Sequence, residues 1–177
     1  TFVVTGDGAM EEGAFYESLL MAKTAKVPMI IIVENNGWSM YTQIHERRFP
    51  INLEALGASL NVPFMQLKGN DVVEYAEKLT VFRQKAVDEQ TPVIIEVFIH
   101  TLGDYWTEDV PGGPSRIINY HHGLAPKIEQ VNRPEIEENE HDPIFVAFQK
   151  FEKSRFEQDI QKISASLQSI LEDNVPL

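Results

Sequence analysis

Two short polar turns carry the residues of this sequence that could do chemistry. The first is Gly6-Asp7-Gly8-Ala9, which follows the β-branched run 3–5, and the second is Asn35-Asn36, which follows the aliphatic run 29–33. A β-branched run that ends abruptly in a polar, glycine-containing turn is typical of a buried parallel strand whose carboxyl end opens into a ligand crevice. The two turns therefore predict one site built from two strand ends.

The spacing of the turns predicts that they lie side by side. The 26 residues that separate Gly8 from Asn35 are enough for one helix and one strand, so both turns belong at the same edge of a sheet. An acidic oxygen of Asp7 and an amide oxygen of Asn36 are hard ligands that suit magnesium or calcium. Gly8 and Ala9 are predicted to open a helix whose free N–H groups suit a phosphate. The implied ligand is a magnesium-bound diphosphate.

The two turns, read together, resemble a known motif. Gly6-Asp7-Gly8 followed after 26 residues by Asn35-Asn36 looks like the diphosphate-binding motif of thiamine-diphosphate enzymes. The intervening residues 12–17, with the strand and turn that follow them, are similar to the alpha subunit of 2-oxo acid dehydrogenases, the decarboxylating component of those complexes. The resemblance covers residues 4 to about 163, and its specific motifs are confined to residues 6–38.

The resemblance implies the cofactors and the residues that bind them. The cofactors are thiamine diphosphate and Mg²⁺. Asp7 and Asn36 would give the metal their side-chain oxygens and Trp38 its main-chain carbonyl, leaving places for two diphosphate oxygens and a water. The cofactor-binding residues that the resemblance implies are Gly6, Asp7, Gly8, Ala9 and Asn36.

An activity and a set of partners also follow from the resemblance. It implies an oxidoreductase that decarboxylates a 2-oxo acid oxidatively and transfers the acyl unit to a lipoyl carrier. The implied partners are a beta subunit or pyrimidine-binding domain and a lipoyl-bearing acyltransferase, within an oligomer. The cofactor of such enzymes lies between two domains, so the piece alone is expected to be inactive. Two alternatives stay open: a transketolase-like transferase that shares the turns, and a non-catalytic, divergent paralogue that acts as an interaction module.

The sequence leaves the catalytic acid–base open. In the alpha subunits a histidine-containing stretch follows the last strand, and here Asp104 and Tyr105 stand in place of those histidines. Neither side chain titrates near pH 7 as imidazole does. The weak candidates that remain are His100, which ends a strand on the site side, and the loop residues His121 and His122. An ordinary polar role, at a strand end for His100 and in an exposed loop for His121 and His122, is the favoured explanation of all three.

Charged residues near the turns have two interpretations. Arg47-Arg48 lies in the polar, irregular segment 37–50, which is expected to be a loop over the crevice. The pair could meet a substrate carboxylate, although a solvated loop pair is the commoner explanation. Glu11 and Glu12 favour the start of a helix but repel a phosphate, so we expect them to face solvent or a partner subunit.

The alternation of strand and helix signals predicts the fold class. It is α/β and three-layered, with a mostly parallel sheet and helices on both faces, which the resemblance identifies as the thiamine-diphosphate-binding fold. We expect one domain over residues 1–177, with a βα core over 1–100, an active-site loop region over 101–141 and a C-terminal helical segment over 142–177. The sequence begins within a strand, so a fragment whose sheet is incomplete at the N-terminus is expected.

Element boundaries follow from periodicity and turn signals. The predicted strands after the second turn are 63–67 and 93–99. The predicted helices run over 11–26, 52–60, 71 to about 86, and from 142 onward, with Asn52 and Asp71 as N-caps.

Composition narrows the function classes. The net charge of −12 repels nucleic acid and anionic membranes, and no basic stripe offsets it. The absence of cysteine excludes disulfides, thiolate nucleophiles and cysteine–zinc sites. No stretch resembles a signal peptide or a membrane span, and a soluble cytoplasmic protein is expected.

Overall fold

A parallel sheet of four strands organises the protein. The computed structural model describes residues 1–40, 42–100, 105–107, 116–118 and 138–174. The strands are β1 (Phe2–Gly6), β2 (Ile30–Asn35), β3 (Trp38–Ser39), β4 (Thr42–Gln43), β5 (Phe64–Leu67), β6 (Val93–Phe98), β7 (Tyr105–Thr107) and β8 (Arg116–Ile118). In the sheet the order is β1-β2-β6-β5, and all neighbouring strands are parallel.

Helices connect these strands, and two helices follow the last described strand. They are α1 (Gly13–Thr24), α2 (Ile44–Arg47), α3 (Leu53–Ser59), α4 (Val72–Asp88), α5 (Pro143–Phe148) and α6 (Lys153–Asn174), with a 3-10 turn over Ala9–Glu11. β3 pairs with β4 and β7 pairs with β8, each pair antiparallel and separate from the main sheet.

Each face of the sheet is covered by helices, because the buried strands are apolar on both sides. Ile31 and Val33 of β2 belong to a core that includes Leu19 of α1 and Leu53 of α3. Ile30 of β2 belongs to a second core, with Tyr75, Leu79, Phe82 and Ala86 of α4. Successive strand residues point to opposite faces, which produces the two cores. The predicted three-layer α/β class with helices on both faces is confirmed.

Side-chain caps fix where several helices begin. The side chain of Asn52 accepts a hydrogen bond from the Ala55 N–H at 2.9 Å, and that of Asp71 accepts from Val73 and Glu74. Such caps satisfy backbone donors that have no partner within the helix. Both predicted N-caps are confirmed, and Asp142 caps α5 in the same way through the Ile144 N–H.

The first helix begins later than predicted. It was expected from residue 11, but Glu12 is extended, with ψ at 142°, and α1 begins at Gly13. The residues before it form the short 3-10 turn, so the N–H groups nearest Asp7 belong to that turn and not to a long helix. The segment 37–50 was expected to be irregular and instead contains the β3–β4 hairpin and the single turn of α2.

The C-terminal segment consists of two helices where one was predicted. α5 ends at Phe148, the Phe151 N–H closes the turn on the Ala147 carbonyl, and α6 starts at Lys153. The break lets the rings of Phe148 and Phe151 pack against Phe156, with centroids 4.9 Å and 5.9 Å away. The predicted apolar face is only partly covered, since Ile163 and Ile170 are exposed.

Exposed apolar residues also line the outer strand of the sheet. Phe2 is 57% exposed and Val4 is 59% exposed in β1, whose only strand partner among the described residues is β2. Among the described helices, none combines the length and apolar composition that crossing a membrane requires.

Candidate functional site

The carboxyl ends of β1 and β2 bring the two polar turns together. The strands pair in register from Phe2 with Ile30 to Gly6 with Glu34. The Asp7 N–H then donates to the Glu34 carbonyl at 3.0 Å, which extends the pairing one residue beyond β1. Parallel strands place their carboxyl ends at the same edge. The turn with Asp7 therefore lies against the turn that begins at Asn35.

The two asparagines shape the second turn through their own side chains. Asn35 Oδ1 accepts from the Gly37 N–H at 3.0 Å, and Asn36 Oδ1 accepts from the Trp38 N–H at 2.9 Å. Asparagine favours such turns because its amide oxygen reaches the backbone two residues ahead. Gly37 has φ at 76°, a conformation in which glycine is unstrained. The Asn36 amide oxygen is thus held at the edge of the sheet.

Gly8 is required for space. A Cβ atom at Gly8 would lie 2.5 Å from Ser39 Oγ and 2.6 Å from Ser39 Cβ. The backbone of Gly8 is right-handed, with φ at −76° and ψ at −42°, so glycine is not needed for its dihedral angles. Sequence reasoning attributed the small residue to phosphate approach and missed Ser39. The hairpin that carries Ser39 is therefore seated directly on the first turn.

Two arginines of the segment 37–50 bind the acidic residues of the first turn. Arg47 Nη2 lies 3.1 Å from Asp7 Oδ2 and 2.9 Å from Glu11 Oε1. Arg48 Nε lies 2.7 Å from the same Glu11 oxygen. The expectation that Arg47-Arg48 is a solvated pair is wrong, because the segment folds over the first turn. Glu11, which was expected to face solvent or a partner subunit, binds both arginines. We name Asp7, Glu11, Arg47 and Arg48 the arginine–carboxylate cluster.

The pKa values of the two acids in the cluster are shifted in opposite directions. Burial raises the pKa of Asp7, and the hydrogen bond from Arg47 offsets that shift only in part. The hydrogen bond from Arg47 lowers the pKa of Glu11, which is more accessible. Burial disfavours a charge, whereas a cation that donates a hydrogen bond favours a carboxylate. Although burial opposes the charged guanidinium, hydrogen bonds to Glu11 and Asp7 raise the pKa of Arg47.

A second buried carboxylate lies in the middle of the sheet. Glu96 of β6 accepts from Asn35 Nδ2 at 2.8 Å and from Gln66 Nε2 at 3.0 Å, which ties three neighbouring strands together. Sequence reasoning missed this residue. The signal was present, since Glu96 is an acidic residue inside the apolar run 93–98, and a buried acid requires polar partners.

A cavity of about 580 Å³ opens beside the site. Asn35, Arg48 and Glu96 contribute polar atoms to its wall, and Ile51, Phe64 and Phe98 contribute apolar surface. Its position at the carboxyl ends of the strands is where open α/β sheets bind ligands.

The predicted histidines are not brought to the turns as a group. His100 follows β6, is exposed, and stacks on His141, with ring centroids 4.1 Å apart. His121, His122 and Asp104 lie outside the described residues, as does the side chain of Tyr105. The structure therefore leaves the catalytic candidates as predictions.

The oxygens at the two turns suit a divalent cation that also binds a ligand. A carboxylate on Asp7, an amide oxygen on Asn36 and the carbonyl of Trp38 are the hard donors that Mg²⁺ prefers. Within the described ranges, no group of three His, Cys, Asp or Glu residues could hold a metal by itself. The types of these three donors thus fit a magnesium ion, and Asp7 is the only one of the three with a full charge.

Comparison with known proteins gives a match that covers the whole βα core, residues 1–100. The family model described as "Dehydrogenase E1 component" matches residues 1–112. The chain is 29% identical over 111 residues to a pyruvate dehydrogenase E1 component subunit alpha of Acholeplasma laidlawii, a match that covers 63% of this chain and 32% of that one. The corresponding subunit of Rickettsia conorii is 25% identical over 177 residues, or 98% of this chain and 49% of the other.

A further relative carries a different name. A protein of Arabidopsis thaliana, provisionally named 2-dehydropantoate 2-reductase, is 33% identical over 109 residues, or 62% of this chain and 29% of its own length. The chain thus spans between about a third and a half of the length of these relatives.

Proposed function

The chain belongs to the dehydrogenase E1 component family, and on that premise we propose that it forms the magnesium- and diphosphate-binding part of a thiamine-diphosphate-dependent 2-oxo acid dehydrogenase. The family resemblance predicted from the two turns is thereby confirmed. The observation that carries the proposal is the position of Asp7, which is buried at the end of β1 and pairs through its backbone with the end of β2. A buried carboxylate at this edge is placed to bind a cation.

Each residue of the two turns has a separate task in this proposal. Asp7 and Asn36 hold Mg²⁺ by side-chain oxygens and Trp38 holds it by its carbonyl, while the N–H groups of Gly8 and Ala9 face the diphosphate. Gly6 ends β1 with no heavy atom within 4 Å of where its Cβ would lie, so the ligand can approach the backbone there. When bound, thiamine diphosphate supplies the carbanion and electron sink for decarboxylation.

The sheet positions these residues and keeps the asparagine turn rigid. The Asn35 amide nitrogen donates a hydrogen bond to Glu96 at 2.8 Å, and the Asn35 amide oxygen accepts one from the Gly37 N–H. The orientation of Asn36 therefore depends on a hydrogen-bond chain that begins in the buried sheet. The cavity beside Asn35 and Arg48 is the space that we assign to the reacting part of the substrate.

The acid–base of the reaction is not assigned to a residue of the described site. His100 follows β6, is exposed, and stacks on His141. His121 and His122 remain predictions. With Asp104 and Tyr105 at the positions of the family's loop histidines, we propose that the proton transfers depend on His100 or on a group from the partner subunit.

Partners and domain organisation form part of the same proposal. Exposed apolar residues on β1 and α6, such as Val4, Leu167 and Ile170, support an oligomer with a beta subunit or a pyrimidine-binding domain, visited by a lipoyl-bearing acyltransferase. A single domain over 1–177 is supported by contacts of the C-terminal segment with the core. Asn70 Nδ2 donates to the carbonyls of Glu140 and His141 at 2.9 Å and 3.1 Å.

One observation favours the alternative of a non-catalytic paralogue. The Arg47 guanidinium pairs with Oδ2 of the Asp7 carboxylate that the metal would use, and a permanent ion pair there would weaken binding of the cation. A transketolase-like transferase would use the same turns, so substrate specificity and not geometry separates it from the dehydrogenase.

Isothermal titration calorimetry of the full-length protein with thiamine diphosphate and Mg²⁺ tests the proposal. We expect binding that requires the metal, and we expect Asp7→Asn to lower the affinity by about 100-fold or more, because the neutral amide removes the only charged ligand. Glu12→Gln is the matched control, since it neutralises an exposed acid nearby.

Three results would contradict the proposal. Metal-independent binding, or equal affinity for wild type and Asp7→Asn, would remove Asp7 from the site, and no heat of binding would favour the non-catalytic alternative. If the cofactor binds, turnover of straight or branched 2-oxo acids with the assembled partners supports the dehydrogenase, whereas turnover of sugar phosphates supports the transketolase-like alternative.

A further inference from the structure

The Asp7 carboxylate already has a cation in this structure. Asp7 is 2% exposed, and Arg47 Nη2 lies 3.1 Å from its Oδ2. A carboxylate withdrawn from water without a positive partner is strongly disfavoured. Arg47 therefore provides the charge that makes a buried Asp7 tolerable when no metal is bound.

Arg47 has further partners that do not involve Asp7. Its Nη2 and Nε lie 2.9 Å and 3.1 Å from Glu11 Oε1, and its Nη1 donates to the Thr42 carbonyl at 2.6 Å. Guanidinium has five donors in a fixed plane, so it can give up one acceptor and keep the others. Loss of the Asp7 contact would leave Arg47 bound to Glu11 and to the β4 end of the hairpin.

We propose that Arg47 is an exchangeable counter-ion, which occupies the Asp7 carboxylate until the divalent cation displaces it. Arg47 and the cation then compete for one carboxylate, and Glu11 retains the displaced guanidinium beside the site. The inference rests on the proposed function, because it takes Asp7 as the metal ligand. Arg47 is a positioning residue in this scheme and contacts no reacting atom.

The charges of the cluster predict which ligand can cause the exchange. A divalent cation next to the retained Arg47 would be repelled by it. A diphosphate offsets that repulsion, so the cation and the diphosphate must arrive together. Mn²⁺ alone is therefore expected to bind at least tenfold more weakly than Mn²⁺ in the presence of inorganic pyrophosphate or thiamine diphosphate.

The test measures Mn²⁺ affinity by electron paramagnetic resonance of the full-length protein at pH 8 with saturating thiamine diphosphate. Arg47→Gln removes the competitor and should tighten Mn²⁺ binding about tenfold, the size expected for one charge-assisted hydrogen bond. Arg48→Gln is the matched control. This variant loses the same charge one residue away. Arg48 pairs with Glu11 and reaches only the main-chain carbonyl of Asp7, at 3.5 Å. The Mn²⁺ affinity of Arg48→Gln should therefore differ from that of wild type by less than threefold.

A second measurement separates exchange from a general effect of charge. Without metal, Arg47→Gln should melt at a lower temperature than wild type, because Asp7 is then buried without a cation, and saturating Mn²⁺ with thiamine diphosphate should close that gap. Arg47→Lys, which keeps the charge but not the planar fork, should have a Mn²⁺ affinity between those of wild type and Arg47→Gln.

The outcomes distinguish this inference from the proposed function. Equal or weaker Mn²⁺ binding by Arg47→Gln, with binding still abolished by Asp7→Asn, overturns the exchange and leaves the metal site standing. Equal tightening by Arg47→Gln and Arg48→Gln also overturns it, since only net charge would then matter. If neither wild type nor Arg47→Gln binds Mn²⁺, both the exchange and the proposed function fail.

Discussion

Asp7 and Glu96 are both buried carboxylates of the same sheet, yet they are held by different kinds of partner. Glu96 accepts hydrogen bonds from two neutral amides, Asn35 and Gln66, that belong to the strands on either side of it. Asp7 is held by the guanidinium of Arg47, which follows a short hairpin outside the sheet. The partners of Glu96 lie on strands within the sheet, whereas Arg47 lies on α2, outside the sheet. We therefore expect Glu96 to stabilise the sheet and Asp7 to be available to a ligand.

The largest effect expected from this comparison is loss of stability in Glu96→Ala. Removing the carboxylate leaves two amides without their acceptor, so the free energy of unfolding should fall by about 3 kcal/mol. Urea denaturation measures the change, and it should be the same with and without Mg²⁺ and thiamine diphosphate. Glu34→Ala, at an exposed position of β2, serves as the control. If the free energy of unfolding fell by less than about 0.5 kcal/mol, Glu96 would not be an important stabiliser of the sheet.

Gly8→Ala should cause the next largest loss of stability. The substitution should disturb the packing of the hairpin on the turn that contains Asp7, and not the hydrogen bonds of Glu96. The new Cβ would meet Ser39 at 2.5 Å and push the hairpin away from the first turn. Overpacking of this kind costs about 2 kcal/mol. The double variant Gly8→Ala/Ser39→Gly removes the obstructing side chain, and a double-mutant cycle should recover more than half of the loss. Purely additive effects would show that Ser39 is not the obstacle.

The pH dependence of stability should differ in sign within the arginine–carboxylate cluster. The raised pKa of Asp7 means that the metal-free folded state holds this proton more tightly than the unfolded state, whose pKa is near 3.8. Its ionisation therefore lowers stability as the pH rises from 3.8 through the folded pKa. The lowered pKa of Glu11 contributes stability that is fully present above 4.5 and is lost as the pH falls through the folded pKa.

Asp7→Asn and Glu11→Gln separate these two contributions. As the pH is lowered towards 4, the stability of wild type should rise relative to Asp7→Asn and fall relative to Glu11→Gln. Chemical denaturation of the metal-free proteins at several pH values measures both differences. Differences of the same sign would mean that Arg47 stabilises both carboxylates alike.

The smallest effect is expected for an exposed ion pair. Lys78 and Glu74 lie one turn apart on α4 and are each more than 40% exposed, in contrast to Arg47, whose side chain is 14% exposed. Lys78→Gln should change the free energy of unfolding by only about 0.3 kcal/mol, and 1 M salt should remove the difference. A larger, salt-resistant loss would show that burial is not what distinguishes the Arg47 pair.

Local sequence signals predicted much of the fold and the two turns of the candidate site, but not the contacts that Arg47 and Glu96 make with them. The runs before Gly6 and Asn35 predicted two adjacent parallel strands, because a buried strand and its turn are encoded within a few residues. Asn52 and Asp71 predicted helix starts for the same reason. The Arg47 contact with Asp7 joins residues 40 positions apart, and sequence alone does not say how the intervening hairpin folds. No glycine or proline lies in residues 149–152, so the break between α5 and α6 also lacked a local signal.

The exposed residues of β1 have a practical consequence for work with this chain. In the part of the chain that the structure describes, β1 is paired on one side only and carries the exposed apolar side chains of Phe2 and Val4. Such a sheet edge is a template for the addition of another strand. At high concentration the isolated chain should therefore self-associate edge to edge and precipitate. Co-expression with whatever covers β1, or a lysine at Val4, would keep it monodisperse.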